Sequence, residues 1–135
     1  MSNDIHDIAE AWIELCGFKQ GSPEHEDRFW AWEKLNDSTD DNPEVAWNIV
    51  TYILNSTDSA TVLENLGAGP LEDMMCKHDR FTLTKIENEI SSNSRLKECM
   101  SSVWLDLEDT NLYKEFYKLA GIPPVFDEEK ENKNT

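Results

Sequence analysis

Apolar residues recur at three- and four-residue spacing along most of the chain, and nowhere do they alternate with polar ones over a sustained run. In the first segment Ile5, Ile8, Ala9, Trp12, Ile13, Leu15 and Cys16 share one helical face while Asp4, Asp7, Glu10 and Glu14 share the other. Asn3 or Asp4 can cap its start and Gly17 its end. Ser22-Pro23-Glu24 is a second helix start, followed by Phe29, Trp32 and Leu35 with Trp30 on the flank. Asn36 to Asn42 is polar and reads as a loop. Asn42-Pro43-Glu44 opens a third helix through Leu54, apolar over a wide arc and therefore expected at the centre of the fold.

Further helical segments follow: one after Asp58, ending at Gly67; a short one from Leu71 to about Lys77; one marked by Phe81, Leu83, Ile86 and Ile90; one by Leu96, Cys99, Met100, Val103, Trp104 and Leu107; and one capped by Thr110 and closed by Gly121. About eight short helices joined by short loops predict an all-α fold, either a helical bundle or an α-α superhelix of stacked hairpins. One domain over residues 1–126 is expected, with 127–135 a disordered acidic tail that has nothing to bury.

Charge changes the picture most. Twenty-eight acids against twelve bases give a net charge of −16 over 135 residues. Residues 1–68 hold fourteen of the acids and three of the bases, so half the chain carries −11. Such a surface repels nucleic acid and anionic lipid and favours a basic partner. The longest dense apolar stretch, Val45 to Leu54, is too short to span a bilayer. With Met1-Ser2-Asn3-Asp4 unlike a signal peptide and the cysteines scattered, a cytoplasmic protein with reduced thiols is expected. Cys16, Cys76 and Cys99 all fall at core-facing positions in this reading.

Little in the chain suggests catalysis. His6, His25 and His78 share no metal-ligand spacing, and Glu24-His25-Glu26-Asp27 points around a helix instead of converging. Asp37 to Asn42 lacks the glycine and acid spacing of a calcium loop. No phosphate-binding glycine loop, nucleophile elbow or zinc-binding helix is present, so no catalytic residue, cofactor or metal is expected. Of the tryptophans, Trp12, Trp32 and Trp104 fall on apolar faces and are expected in the core. Trp30 and Trp47 lie on helix flanks and are expected to be more exposed.

One pattern looks deliberate: Leu66-Gly67-Ala68-Gly69-Pro70-Leu71-Glu72-Asp73-Met74-Met75 followed by His78 reads as a tight corner between two helices. Together with Asn42-Pro43-Glu44-Val45-Ala46-Trp47, it resembles a family of small bacterial all-helical proteins of unknown function, over roughly residues 27–105. That resemblance implies a possible site at Trp47, Glu72, Asp73 and His78, and no activity. In character the chain is similar to the immunity partners of bacterial polymorphic and contact-dependent toxins. The expected function is accordingly an inhibitor, monomeric when free, that binds a basic toxin domain, a nuclease being the prime candidate. Glu24, Glu26, Asp27, Trp30, Asp37, Asp40 and Asp41 would carry the contact, since they gather at a helix start and the following loop. A helical-repeat scaffold that binds a protein or peptide is the alternative, and an enzyme centred on the Gly-Pro-Leu-Glu-Asp corner the minor one.

Overall fold

Side-chain caps set most helix starts. Asp4, Ser22, Asn42, Ser59 and Asn93 each accept a hydrogen bond from a backbone N–H two or three residues on, at 2.7–3.4 Å. Pro23 and Pro43 fill first-turn positions where no N–H is needed. The computed structural model describes residues 4–105 and 111–122. Its helices are α1 (Ile5–Cys16), α2 (Pro23–Asp41), α3 (Pro43–Ser56), α4 (Ala60–Leu66), α5 (Glu72–Lys77), α6 (Asp79–Glu89), α7 (Ser94–Met100) and α8 (Asn111–Ala120). A π-helical turn, Gly67–Leu71, joins α4 to α5, and a 3₁₀ turn, Ile90–Ser92, precedes α7. The fold is all-α, with no strand among the described residues.

Helices α1, α2 and α3 pack on one another, and α4, α5 and α6 lie against α1, α2 and α3 in turn. Helix α7 closes on α3 and α4, and α8 on α6 and α7. The packing is layered, with each of α4, α5 and α6 against one of α1, α2 and α3. One apolar cluster runs through it from Ile8 to Ala120, and α3 contributes Ala46, Trp47, Ile49, Val50, Ile53 and Leu54. The wide apolar arc of that helix does put it at the centre. No helix among the described residues is long and apolar enough to cross a membrane. The 127–135 tail, Leu107 and the Thr110 cap lie outside the described residues.

Several local expectations are overturned. Residues 36–41 are not a loop but the last turns of α2. Leu35 and Thr39 are buried on its inner face, and burial overrides the weak helix propensity of Asn, Asp, Ser and Thr. The hydroxyls of Ser38 and Thr39 turn back onto the Lys34 and Asn36 carbonyls, at 3.0 and 2.7 Å.

The 66–75 corner is not a break either. Pro70 has no N–H to donate to residue 66 and its ring crowds that carbonyl, so the helix widens by one residue and continues. The Glu72 N–H then reaches back to the Gly67 carbonyl. Gly67 has ordinary right-handed helical dihedrals; it is glycine because α7 passes so close that a β-carbon would collide with the Cys99 carbonyl oxygen.

Trp47 is 6% exposed and belongs to the core, while Trp32 at 42% and Trp104 at 53% do not. Helix α7 ends at Met100, so the helical phase is lost before Trp104; Val103 and Leu105 turn inward on either side of it. Of the thiols only Cys99 is buried; Cys16 is half-buried and Cys76 exposed, because α5 turns Met74 and Met75 inward instead.

An acidic helix face beside an aromatic groove

The continuity of α2 rearranges the acids predicted to meet a partner. Glu26, Trp30, Asp37, Asp40 and Asp41 fall at helical spacing on one face, and Glu33, not singled out from sequence, joins them. All five acids of this stripe are exposed, and Trp30 is half-buried at the edge of the core. Glu24 and Asp27 are exposed too but sit elsewhere on the first turns: Glu24 lies in line with the buried Ala31 and Leu35, and Asp27 in line with Lys34. In total α2 carries seven acids (Glu24, Glu26, Asp27, Glu33, Asp37, Asp40, Asp41) against two bases (Arg28, Lys34).

The stripe is charged against the intrinsic preference of its helix. The C-terminal end of a helix is its negative end, and α2 places Asp40 and Asp41 there with no base in the last turn. Relief comes from a different element. Lys77 at the end of α5 pairs with the Asp40 carboxylate. His78, in the junction between α5 and α6, brings Nε2 to 2.9 Å from the Thr39 carbonyl oxygen and 3.3 Å from that of Asp40. Nε2–H therefore donates to carbonyls that the helix end leaves open. The histidine of the family-like pattern thus anchors the acidic end of α2.

The other residues of that pattern separate. Trp47 is in the core of α3, away from solvent. The Glu72 carboxylate accepts the Trp104 N–H at 2.7 Å and so ties α5 to the 103–105 segment, which Tyr117 also holds through its hydroxyl at 2.8 Å from the Val103 oxygen and 3.1 Å from the Leu105 nitrogen. Burial pushes the Glu72 carboxyl above the ordinary glutamate range, and the Trp104 N–H partly offsets that. Asp73 faces a different space, a cavity of about 50 Å³ between α1, α2 and the π turn, shared with Trp12, Trp32, Thr39 and Pro70. The corner therefore does not gather Trp47, Glu72, Asp73 and His78 into one site.

That cavity adjoins a larger groove of about 390 Å³, with Trp12, Trp32, Gly69 and Pro70 common to both. Phe18, His25 and Ala68 complete much of its wall. On its α2 side the groove is lined by His25 and Trp32, and Phe29 links their rings into a ladder: the His25 and Phe29 rings are 6.1 Å apart, and those of Phe29 and Trp32 stack at 5.2 Å. The ladder borders the acidic stripe on the same helix, so the groove and the stripe are neighbours. The groove was not anticipated from sequence. The signal that could have found it is the i, i+4, i+7 run of aromatic rings on a helix whose inner face already had Ala31 and Leu35.

Among the described residues no three or more His, Cys, Asp and Glu side chains converge as metal ligands. All three thiols are shifted away from the reactive thiolate by burial, Cys99 up to about 12. No characterised protein and no solved structure matches the chain significantly. Residues 19–119, which include α2, the π turn and His78, match a family of unknown function (DUF6869), and the chain belongs to that family.

Proposed function

We propose that this protein is a binding inhibitor that docks the acidic face of α2 on a basic protein surface, and that its partner is a nucleic-acid-binding bacterial toxin domain to which it confers immunity. The observation that supports this most is the stripe itself. Five exposed acids line one face, and two of them stand at the helix end; Lys77 offsets Asp40, while Asp41 holds negative charge there at about 0.3–1 kcal/mol at low salt. Charge held at a cost to stability marks a surface kept for something other than folding. A toxin domain that grips nucleic acid must present lysine and arginine, and a complementary acidic helix steers the encounter and covers the same groove.

The test is co-production with the basic C-terminal domain of a large secreted protein encoded beside this gene. The chain should restore growth to cells that the domain kills. Asp37→Lys with Asp41→Lys should slow association about tenfold or more at low salt and flatten its dependence on ionic strength. Absence of such a neighbour, or killing unaffected by the chain, refutes the toxin assignment. Equal association rates for the parent and the double variant across a salt series refute the acidic face.

A further inference from the structure

The groove beside the stripe has chemistry that a sealed core does not. Trp12 lines both of its cavities and is 3% exposed, yet its Nε1–H has no hydrogen-bond partner among the described residues. The same is true of His25 Nδ1 on the groove wall. Buried polar atoms without a hydrogen-bond partner are rare, because each costs about 1–3 kcal/mol. Trp32, at 42% exposure, contributes its indole to both cavities, and Asp73 a carboxylate to the smaller one. No lysine or arginine is found among the described residues that line either cavity, and Lys77, one turn beyond Asp73, is engaged by Asp40.

We propose that this groove is a socket for an arginine side chain of the basic partner, entering with the backbone that flanks it. A planar guanidinium stacks on an indole and presents a fork of donors to a carboxylate, which a lysine ammonium does less well. Arginine has no acceptor of its own, so the peptide carbonyl beside it is the group that satisfies Trp12 Nε1–H. The rim already shows this chemistry within the chain: the Arg28 guanidinium lies 4.7 Å from the Phe18 ring centroid, with Glu14 at 3.1 Å. A volume of about 390 Å³ lies within the range of pockets that enclose a small ligand, about 300–1,000 Å³. The stripe then acts as the charged rim and the socket as the aromatic anchor that fixes register. This rests on the basic-partner reading above and names the side chain recognised.

The socket is testable without any partner. The ¹⁵N-labelled protein is titrated with N-acetyl-arginine N-methylamide and, separately, with the citrulline counterpart, which has nearly the same shape and no charge. Indole N–H signals are assigned by single Trp→Phe variants. The arginine probe should shift the Trp12 and Trp32 signals saturably while the citrulline probe leaves them in place. Asp73→Asn should weaken the arginine probe about tenfold or more, and Ala68→Arg, on an exposed position of the wall, should abolish its effect. Both variants alter positions outside the core and should keep native signal dispersion. Equal shifts by both probes, or an unmoved Trp12 signal through the millimolar range, overturn the socket. Such a failure leaves partner association through α2 measurable on its own, so the two readings fall separately.

Discussion

Replacing Gly67 with alanine sets two physical effects against each other. Helix propensity alone favours alanine by about 0.5–1 kcal/mol, because glycine gives up more backbone freedom and Gly67 already has helical dihedrals. Packing says the opposite. A β-carbon at residue 67 would collide with the Cys99 carbonyl oxygen and come within 3.1 Å of both the Cys99 carbonyl carbon and the Ser102 β-carbon. The first two are backbone atoms of α7, and the Cys99 carbonyl also accepts the Ser102 N–H at 3.1 Å, so no side-chain rotation relieves the clash. Helix α7 must move away from the π turn, which opens the packing of Leu66, Leu96 and Met100.

Overpacking of this kind costs about 1–3 kcal/mol and more where backbone has to move. The upper part of that range applies, and the net after the propensity gain is a loss of about 2 kcal/mol or more. For a chain of this length each kcal/mol shifts the thermal midpoint by about 3–4 °C, so a drop of about 7 °C or more is expected. Thermal and urea melts followed by far-ultraviolet circular dichroism measure it. The control is Gly17→Ala: its β-carbon would meet only the Glu14 carbonyl oxygen at 3.4 Å, and stability should be unchanged within about 0.5 kcal/mol. A Gly67→Ala midpoint that rises by a few degrees would show that propensity governs the site and that α7 does not approach it closely.

Three further outcomes are expected. Because burial raises the Glu72 carboxyl, the folded state holds that proton more tightly than the unfolded chain, so this group's contribution to stability is intact below the ordinary glutamate pKa and is lost as pH rises through the raised value. Glu72→Gln, which keeps an oxygen for the Trp104 N–H, should remove that loss; urea melts from pH 4 to 7 with the same slope as the parent would contradict it. Asp41→Asn should stabilise the protein by about 0.3–1 kcal/mol at low salt while slowing partner association, and a variant less stable than the parent would show that Asp41 makes a contact beyond its charge. His78→Ala should cost about 0.5–1.5 kcal/mol and speed hydrogen exchange of the Asn42 amide, which bonds to Ser38 at 2.9 Å, whereas His78→Gln, whose amide can still donate, should recover part of both; unchanged exchange in His78→Ala would remove the anchoring role.

What could be read from the chain depended on how local the cause was. Caps at Asp4, Ser22 and Asn42 act within three residues, and the elements they start are all present. The apolar arc of α3 is likewise local, and it put that helix at the centre. Misreadings arose where a distant element decides the outcome. Residues 36–41 have turn-like composition, yet Thr39 is buried and its carbonyl is held by a histidine 39 residues away in sequence. Trp32 and Trp104 look like core residues by spacing, but the first borders a groove whose other walls are α1 and the π turn, and the second follows the end of α7. The acids of the candidate face were visible in composition. Their alignment was not, because it depends on the helix continuing through a stretch that propensity alone would leave irregular.

The same dependence explains why the pattern that resembles the family reads as a site while its members stand apart. His78 and Lys77 reach the end of α2 from the junction after α5, whereas Glu72, less than two turns earlier, holds the 103–105 segment on another side. The π turn sets the rotational phase of α5 relative to α4: one additional residue in the turn rotates every later side chain by about 100°. With Pro70 widening the turn, Asp73 faces the small cavity that adjoins the groove, and Lys77, one turn further on, meets Asp40. An ordinary α-turn at this position would rotate Lys77 and His78 away from α2 and leave Asp40 without its ion pair and the Thr39 and Asp40 carbonyls without the imidazole. The Gly-Pro corner, remote from the acidic stripe in sequence, thus sets the phase that brings Lys77 and His78 to the end of α2, and it forms a wall of the groove beside it.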